Sequence, residues 1–180
     1  MFILQMTGLS GAGKTTLATA LKEQLNAKGI SATVIDADIY RKILCRDLGF
    51  SAADRRENIR RLAAIAHSYQ LKGVLAIIAA INPYEEIRIE LRERFAAKII
   101  WLRCALDQLV HRDTKGLYKR ALLPDDHPEK IWNLTGINDP YEFPLHPDLV
   151  MDTDVADVAS STQKLMGYVL SLWDDNPIRS

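Results

Sequence analysis

The chain has 180 residues, enough for one domain with a sizeable core, and its 23 basic side chains balance its 23 acidic ones. Because the net charge is zero and no apolar run reaches the roughly 18 residues of a membrane helix, we expect neither nucleic acid nor a membrane as a partner. The two cysteines, Cys45 and Cys104, form no CxxC pair and the N-terminal segment lacks the basic region of a signal peptide, so a cytoplasmic protein without a zinc site is predicted.

Apolar runs alternate with helical patterns along the sequence. In chain order they predict a strand at 2–7, a helix at 15–29, a strand at 31–38, helices at 38–49 and 51–73, a strand at 74–81, a helix at 84–95, strands at 97–104 and 149–153, and a helix at 155–173. The third helix begins after Ser51, with Asp54 three residues later as a variant capping box. This alternation predicts a single α/β domain over residues 1–180, with a five-stranded parallel sheet covered by helices on both faces.

One segment, residues 112–148, departs from this alternation. It contains most of the prolines of the chain and many charged side chains. Long irregular segments are uncommon in compact domains and usually have a function, often as a cover over a binding site. We therefore expect a lid at about residues 112–148.

The segment GLSGAGKT at residues 8–15 matches the pattern G-x-x-x-x-G-K-[ST] and lies between a predicted strand and a predicted helix. Glycines allow backbone N–H groups to point at phosphate oxygens, and the positive N-terminal end of the following helix adds to the attraction. Lys14 supplies a charge to the outer phosphates, and the Thr15 hydroxyl is a ligand for Mg²⁺. The pattern predicts a site for Mg·ATP formed by Gly8, Leu9, Ser10, Gly11, Ala12, Gly13, Lys14, Thr15 and Thr16.

The positions of the acidic residues favour a small-molecule kinase over other nucleotide-binding classes. A GTPase needs the guanine-reading motif N-K-x-D, which is absent, and the central strand at 74–81 has no acid at its end. Asp36 and Asp38 instead end the second strand, at the edge where open α/β sheets bind ligands. Either carboxylate can hold a magnesium-bound water or accept the proton of an acceptor hydroxyl, and the alternative is a helix cap.

A basic cluster follows on the next predicted helices. Arg55 and Asn58 are three residues apart and share a helix face, and Arg41 lies about one turn after Asp38. Guanidinium groups make paired hydrogen bonds with phosphate or sulfate, so these arginines are candidates for an anion clamp, and a solvated charged face is the alternative. The solvated face is the preferred interpretation for Arg56, Arg60 and Arg61.

Taken together, these motifs resemble those of the adenylylsulfate kinases, which use ATP to phosphorylate the 3′-hydroxyl of adenosine 5′-phosphosulfate. The resemblance covers about residues 3–153. The motifs that carry it are GLSGAGKTTLA, DADIYR, DLGFSAADRRENIRR, NPYEEIR, RDTKGLYKRA, LTGINDPYEFP and LVMDT.

The resemblance implies a P-loop kinase fold, Mg²⁺ as cofactor, and an acceptor pocket for a nucleotidyl sulfate. Homodimers are frequent in the family. Phe50 would stack on the acceptor adenine, Lys115 would reach an anionic group from the lid, and Arg112 would belong to the ATP site. The residues implied in acceptor binding are Asp38, Arg41, Phe50, Arg55, Asn58, Ile81, Asn82, Lys115 and Leu117, and those implied in catalysis are Lys14, Asp36 and Asp38.

Several positions differ from the family pattern. Asn82 replaces a serine that has been considered a phosphate carrier, which excludes a phosphoenzyme at this position. Glu85 replaces an arginine, Leu134 replaces a phenylalanine of the adenine stack, and the connection at 121–133 is longer and more acidic. Trp132 is either a substitute aromatic surface or a residue packed under the lid. These changes leave two alternatives open: a kinase of the same fold with another 5′-nucleotidyl acceptor, such as a cytidine compound, and a nucleotide-binding module without phosphate transfer.

Overall fold

The computed structural model describes residues 1–174 of the chain. In this part the elements are β1 (Ile3–Thr7), α1 (Lys14–Ala27), β2 (Ala32–Asp36), α2 (Ala37–Arg41), α3 (Ala52–Gln70), β3 (Leu75–Ala79), α4 (Glu85–Phe95), β4 (Lys98–Arg103), α5 (Leu106–Arg112), α6 (Leu117–Ala121), β5 (Leu149–Asp152) and α7 (Val158–Asp174). Within residues 1–174, no helix is both long enough and apolar enough to cross a membrane.

All strand pairs in the described sheet are parallel, and the strand order is β2-β3-β1-β4-β5. The inner strands β1 and β3 are buried along their whole length, which explains why they read as continuous apolar runs rather than as alternating patterns. The predicted five-stranded parallel sheet is therefore confirmed for the described residues. Since β1 lies between β3 and β4, the loop that follows β1 emerges at the middle of the carboxyl edge.

Two apolar cores, one on each face of the sheet, show that helices cover both sides as predicted. Successive residues of β1 point to opposite faces, so Leu4 packs in one core and Ile3 in the other. Leu21 of α1 and Leu165 of α7 belong to the first core. The second core is formed with α3 and α4, which bury side chains such as Leu62.

The helix predicted at 38–49 is wrong in its extent. Helix α2 begins one residue earlier and ends at Arg41, because Asp36 caps it and the Tyr40 carbonyl accepts several turn hydrogen bonds that close the chain after one turn. Helices α5 and α6 were not predicted, and α6 lies inside the segment expected to be irregular. Both are short, with seven and five residues, so they show too few helical repeats to be recognised in sequence. The N-cap predicted at Ser51 is confirmed, since its hydroxyl oxygen accepts from the Asp54 N–H at 3.1 Å, while the Asp54 carboxylate accepts from the Ser51 hydroxyl at 2.7 Å.

Candidate functional site

The loop between β1 and α1 has three glycines, Gly8, Gly11 and Gly13, whose φ angles lie in the region that side chains avoid. Gly8 and Gly13 have φ angles of 151° and 90°. A Cβ atom on Gly8 would lie 2.5 Å from the carbonyl oxygen of Leu102 on β4. Gly13 is the residue immediately before α1, so its N–H and those of the first turn open towards the loop. The loop therefore lies close to the sheet, and backbone N–H groups at the N-terminus of α1 face it. N–H groups in this position bind phosphate.

Lys14 folds back over this loop. Its ammonium group donates to the carbonyl oxygens of Gly8 and Leu9, each at 2.8 Å. The pKa of Lys14 is lowered to about 8, first by burial and then by repulsion from Lys115, while Asp38 and Asp36 oppose the shift. An anion that replaced the loop carbonyls as its partner would favour the charged form of this lysine.

Asp36 connects the loop to the end of β2. Its Oδ2 atom accepts a hydrogen bond of 2.6 Å from the Thr15 hydroxyl, and its Oδ1 atom accepts from the N–H groups of Asp38 and Ile39. The helix cap is therefore Asp36. A hydroxyl and a carboxylate oxygen in contact suit a hard cation such as Mg²⁺, which takes one or two protein ligands and completes its shell with phosphates and water. Within residues 1–174, no group of three or more His, Cys, Asp or Glu side chains is arranged so that it could hold a metal ion.

Asp38 is placed differently from Asp36. It lies in the first turn of α2 with 69% of its side chain exposed, and its carboxylate pairs with the ammonium group of Lys115 from the lid. After burial, Lys115 and Asp38 are the next largest influences on the pKa of Lys14, which Lys115 lowers and Asp38 raises. The structure thus brings three of the predicted site residues together across the phosphate loop.

An aromatic and cationic cluster lies on the β2 side of this loop. The guanidinium carbon of Arg41 is 4.6 Å from the centre of the Phe50 ring, and that of Arg55 is 5.5 Å from it. Arg41 also donates to the Gly49 carbonyl oxygen at 2.6 Å. Phe50 itself is 52% exposed, so one part of its ring is open to a ligand while the two arginines are held beside it.

Arg55 joins this cluster to the lid. It is 8% exposed, donates to the carbonyl oxygens of Phe50 (3.0 Å) and Asn133 (2.6 Å), and pairs with the Asp139 carboxylate at 2.7 Å. Asn58, one turn later, is 4% exposed, and its Oδ1 atom has no hydrogen-bond partner among the described residues. A buried polar atom without a partner is costly, so this oxygen is a candidate ligand contact.

Ile81 and Asn82 follow β3 at the same edge. The Thr7 hydroxyl donates to the Ile81 carbonyl oxygen at 2.6 Å, and the Tyr141 hydroxyl lies 2.9 Å from the Thr7 hydroxyl. Asn82 is 3% exposed and has a φ of 43°, a left-handed conformation that asparagine tolerates better than most residues. Its side-chain amide donates to Gln5 at 3.0 Å, so the backbone rather than the side chain is turned to the edge.

The structure shows where three residues of the altered motifs lie. Glu85, which replaces an arginine of the family pattern, is 9% exposed, and its carboxylate pairs with Arg88 at 2.7 Å. Leu134 is 5% exposed and packs in the core on the α1 side. Trp132 is 58% exposed, with the Lys130 ammonium group 4.4 Å from its ring centre, so it does not pack under the lid.

On the opposite side of the loop, Arg112 ends α5 and donates to the Thr153 carbonyl oxygen at 2.9 Å. It therefore lies beside the segment that follows β5. Leu117 begins α6 and is half-buried against the core on the α1 side. Its neighbour Tyr118 is 1% exposed, and its hydroxyl donates to the Ser10 carbonyl oxygen at 2.8 Å, which joins α6 to the phosphate loop.

Comparison with known proteins agrees with this geometry. The family model described as adenylylsulphate kinase matches residues 1–152. The chain belongs to the adenylylsulphate kinase family. Curated members include the adenylyl-sulfate kinase of Picosynechococcus sp., 44% identical over 92% of both chains, and that of Chloroflexus aurantiacus, 41% identical over 91% of this chain and 86% of the relative. A solved structure of the Mycobacterium tuberculosis APS kinase CysC, in complex with AMPPNP and APS, covers 94% of this chain and 97% of its own, with a TM-score of 0.87 and 35% identity.

Some residues of this adenylylsulphate kinase family member that shape the site were not predicted as site residues. Asp139 and Tyr141 contact Arg55 and Thr7, and both lie in the LTGINDPYEFP motif, so the motif was recognised but its partners were not. Arg88, the last residue of the NPYEEIR motif, was not predicted as a site residue either. No short sequence pattern links Asp139 and Tyr141 to their partners, because the hydrogen bonds of Thr7 alone span from 74 to 134 positions of sequence.

Proposed function

We propose that this protein is an adenylylsulfate kinase, which transfers the γ-phosphoryl group of ATP to the 3′-hydroxyl of adenosine 5′-phosphosulfate. One observation carries the proposal: the phosphate loop, the Asp36–Asp38 pair and the Arg41–Phe50–Arg55 cluster share one edge of the sheet. This edge offers a site for a triphosphate next to a site for a base and an anion. Membership of the family and the 40–44% identity to curated members support the same acceptor.

The binding site for ATP, the phosphate donor, is formed by the phosphate loop. Arg112 would be a further ATP contact. Lys14 would exchange its two carbonyl partners for phosphate oxygens and so neutralise charge on the group in transfer. Thr15, with Asp36 behind it, would hold Mg²⁺, which supplies Lewis-acid charge neutralisation when bound. Since both Asp36 oxygens already accept hydrogen bonds, this carboxylate is suited to orienting ligands rather than to taking a proton.

Asp38 is the carboxylate that we assign as the proton acceptor. The 3′-oxygen of the acceptor attacks the γ-phosphorus, the bond to the bridging oxygen of ADP breaks, and the hydroxyl proton passes to Asp38. Lys115, which pairs with Asp38, would move onto an anionic group of a substrate and release the carboxylate. Closure of the lid would exclude water from the transferring group.

On the acceptor side, the open face of Phe50 would stack on adenine. Arg41 and Arg55 would bind the phosphosulfate, and Asn58 would complete its hydrogen bonding with a ligand donor. The backbone at Ile81 and Asn82 and the side chain of Leu117 would line the remaining wall. Chemically, this is a pocket for a purine nucleotide that carries a second anionic group.

A coupled assay of ADP release tests the proposal. Purified protein would receive Mg·ATP and one of several acceptors: adenosine 5′-phosphosulfate, AMP, a cytidine 5′-diphosphate derivative, or none. We expect turnover with adenosine 5′-phosphosulfate and formation of its 3′-phosphorylated product, with Lys14→Ala as the inactive control. A preference for the cytidine compound would establish the alternative acceptor, and ATP binding without turnover on any acceptor would indicate a non-catalytic module.

The remaining parts of the proposal concern organisation. We propose a single domain over residues 1–180 whose lid is formed by about 112–148, and a homodimer as the solution state, which light scattering can measure. A cytoplasmic location is supported by the use of ATP and by Cys45 and Cys104, which are free thiols in the described chain.

A further inference from the structure

Arg88 on α4 is the largest fully buried side chain among the described residues, and its guanidinium group makes three contacts in different directions. The Nε atom donates to Glu85 at 2.7 Å, Nη1 to the Asn82 carbonyl oxygen at 2.6 Å, and Nη2 to the Glu142 carbonyl oxygen at 2.6 Å. A buried cation is tolerated only when it is paired and fully hydrogen-bonded. Glu85 therefore neutralises Arg88, and the two carbonyl groups complete its shell.

The first carbonyl contact fixes the segment between β3 and α4, residues 80–84, which we name the acceptor loop. Asn82 holds a left-handed backbone at a φ of 43°, a conformation that costs energy for any residue except glycine. Arg88 binds the carbonyl oxygen of this residue, and the Thr7 hydroxyl lies 3.2 Å from the same oxygen. The acceptor loop thus keeps its shape through Arg88, next to the residue that precedes the phosphate loop.

The second carbonyl contact fixes residues 139–148, which lead from the lid back to β5 and which we name the return segment. Glu142 accepts from the Glu85 N–H at 2.6 Å and donates its own N–H to the Pro83 carbonyl oxygen at 2.9 Å. The other oxygen of Glu85 accepts from the Leu145 N–H at 3.2 Å. Glu85 and Arg88 therefore contribute side-chain hydrogen bonds that attach the return segment to the acceptor loop and to the start of α4, in addition to those of Glu142.

We propose that Glu85 and Arg88 form a positioning pair that sets the acceptor loop and the return segment relative to each other, and so determines how the acceptor nucleotide is held. This inference rests on the proposed function. It assigns to Glu85 and Arg88 a role in which they act on the acceptor through the two segments that they join. The return segment also carries Asp139, the partner of Arg55, so its placement reaches the acceptor cluster as well. Among the described residues, no side-chain hydrogen bond or ion pair joins either member of the pair to the phosphate loop.

Glu85 has a role that the arginine of the family pattern could not fill at this position. An arginine here would place a second cation against the buried Arg88 and would leave the Leu145 N–H without its acceptor. Restoring the family residue is therefore expected to harm this chain. A neutral glutamine keeps the shape and one acceptor oxygen but removes the charge, so it should have a smaller effect in the same direction.

The test compares Glu85→Gln, Glu85→Arg and the control Glu86→Gln, whose carboxylate pairs at the surface with Arg56. We expect the KM for the acceptor to rise at least about tenfold in Glu85→Arg, equivalent to 1.4 kcal/mol, with an intermediate rise in Glu85→Gln and an ATP Kd within about twofold of the wild type.

Hydrogen exchange, measured without acceptor, should accelerate in residues 82–85 and 141–145 but not in the phosphate loop. Wild-type kinetics in both Glu85 variants, or a uniform acceleration of exchange with an equal loss of ATP binding, would overturn the proposal. If the wild type turns over no acceptor, the proposed function is refuted. Accelerated hydrogen exchange confined to the two segments in the Glu85 variants would then still support the positioning pair.

Discussion

The hydroxyl of Thr15 and the carboxylate of Asp36 are joined by a hydrogen bond of 2.6 Å, which links the phosphate loop to the end of β2. The same carboxylate caps α2 through its other oxygen. Asp36 therefore has two separable roles, one in helix capping and one beside the proposed Mg²⁺ site, and a single substitution can divide them.

Asp36→Asn should impair use of Mg²⁺ while leaving the fold stable. Asparagine is as good a cap as aspartate, but it lacks the charge that strengthens a cation site. We expect the Mg²⁺ concentration for half-maximal turnover to rise by about 10- to 100-fold, with little change in the midpoint of thermal unfolding. Asp36→Ala should show the same Mg²⁺ defect and also lose about 1 kcal/mol of stability with the cap. A normal Mg²⁺ dependence in both variants would remove Asp36 from the metal site.

Asp38→Asn should affect the chemical step. An amide cannot accept the hydroxyl proton, so kcat should fall by about 10²- to 10⁴-fold, as is typical when a general base is removed. Stability should change little, because the Asp38 side chain is largely exposed. Steady-state kinetics and ATP calorimetry measure the two effects. A drop in ATP affinity that accounts for the whole loss would assign Asp38 to the donor site instead.

The affinity for ATP should fall as the pH rises above about 8. The pKa of Lys14 is lowered to about 8 by burial and by Lys115, and bound phosphates would raise it again. The complex therefore holds more protons than the free protein above this pH, so binding takes up a proton and weakens by up to about tenfold per pH unit. Calorimetry at pH 8.5 in two buffers of different ionisation enthalpy measures the uptake.

Lys115→Ala is the matched control for this pH dependence. It removes the repulsion that lowers the pKa of Lys14 and also frees the Asp38 carboxylate, which raises this pKa. The onset of weakening should therefore move to a higher pH. An unchanged onset would show that another group is responsible.

Arg41→Ala and Arg55→Ala should each weaken acceptor binding by about 1.5–3 kcal/mol, the range for hydrogen bonds to charged groups, with ATP affinity nearly unchanged. The two variants should differ in stability, because Arg55 is buried and also binds Asn133 and Asp139. Arg60→Ala is the surface control, since Arg60 on α3 pairs with Glu90 on α4. Calorimetry with each nucleotide separately measures the two affinities. Equal losses of affinity for ATP and for the acceptor would show that these arginines serve another site.

Asn82→Ser should leave turnover within about tenfold of the wild type, or 1.4 kcal/mol in the barrier, because direct transfer requires no residue that carries phosphate. A stability loss of about 1 kcal/mol is expected from the missing amide contact with Gln5. Incubation of the wild type with γ-labelled ATP alone should leave no acid-stable label on the protein. Stoichiometric label that passes to the acceptor would contradict direct transfer.

Much of this molecule could be predicted from local sequence signals. The phosphate loop, the Ser51 cap and the alternation of strands and helices depend on residues within a few positions of one another, so short patterns encode them. The ordered motifs then indicated the family, and with it the sheet. Even the acid pair was identified, because two aspartates at the end of a strand necessarily lie at its carboxyl edge.

Tertiary structure decided which side chain does what within these motifs. Asp36 and Asp38 are equivalent in sequence, but only Asp36 lies against Thr15, while Asp38 remains exposed beside Lys115. Glu85 looked like a changed binding residue and is instead the buried partner of Arg88, attached to a segment 60 positions away. Burial and charge pairing depend on which segments the fold brings together, and this information is spread over the chain rather than contained in any one motif.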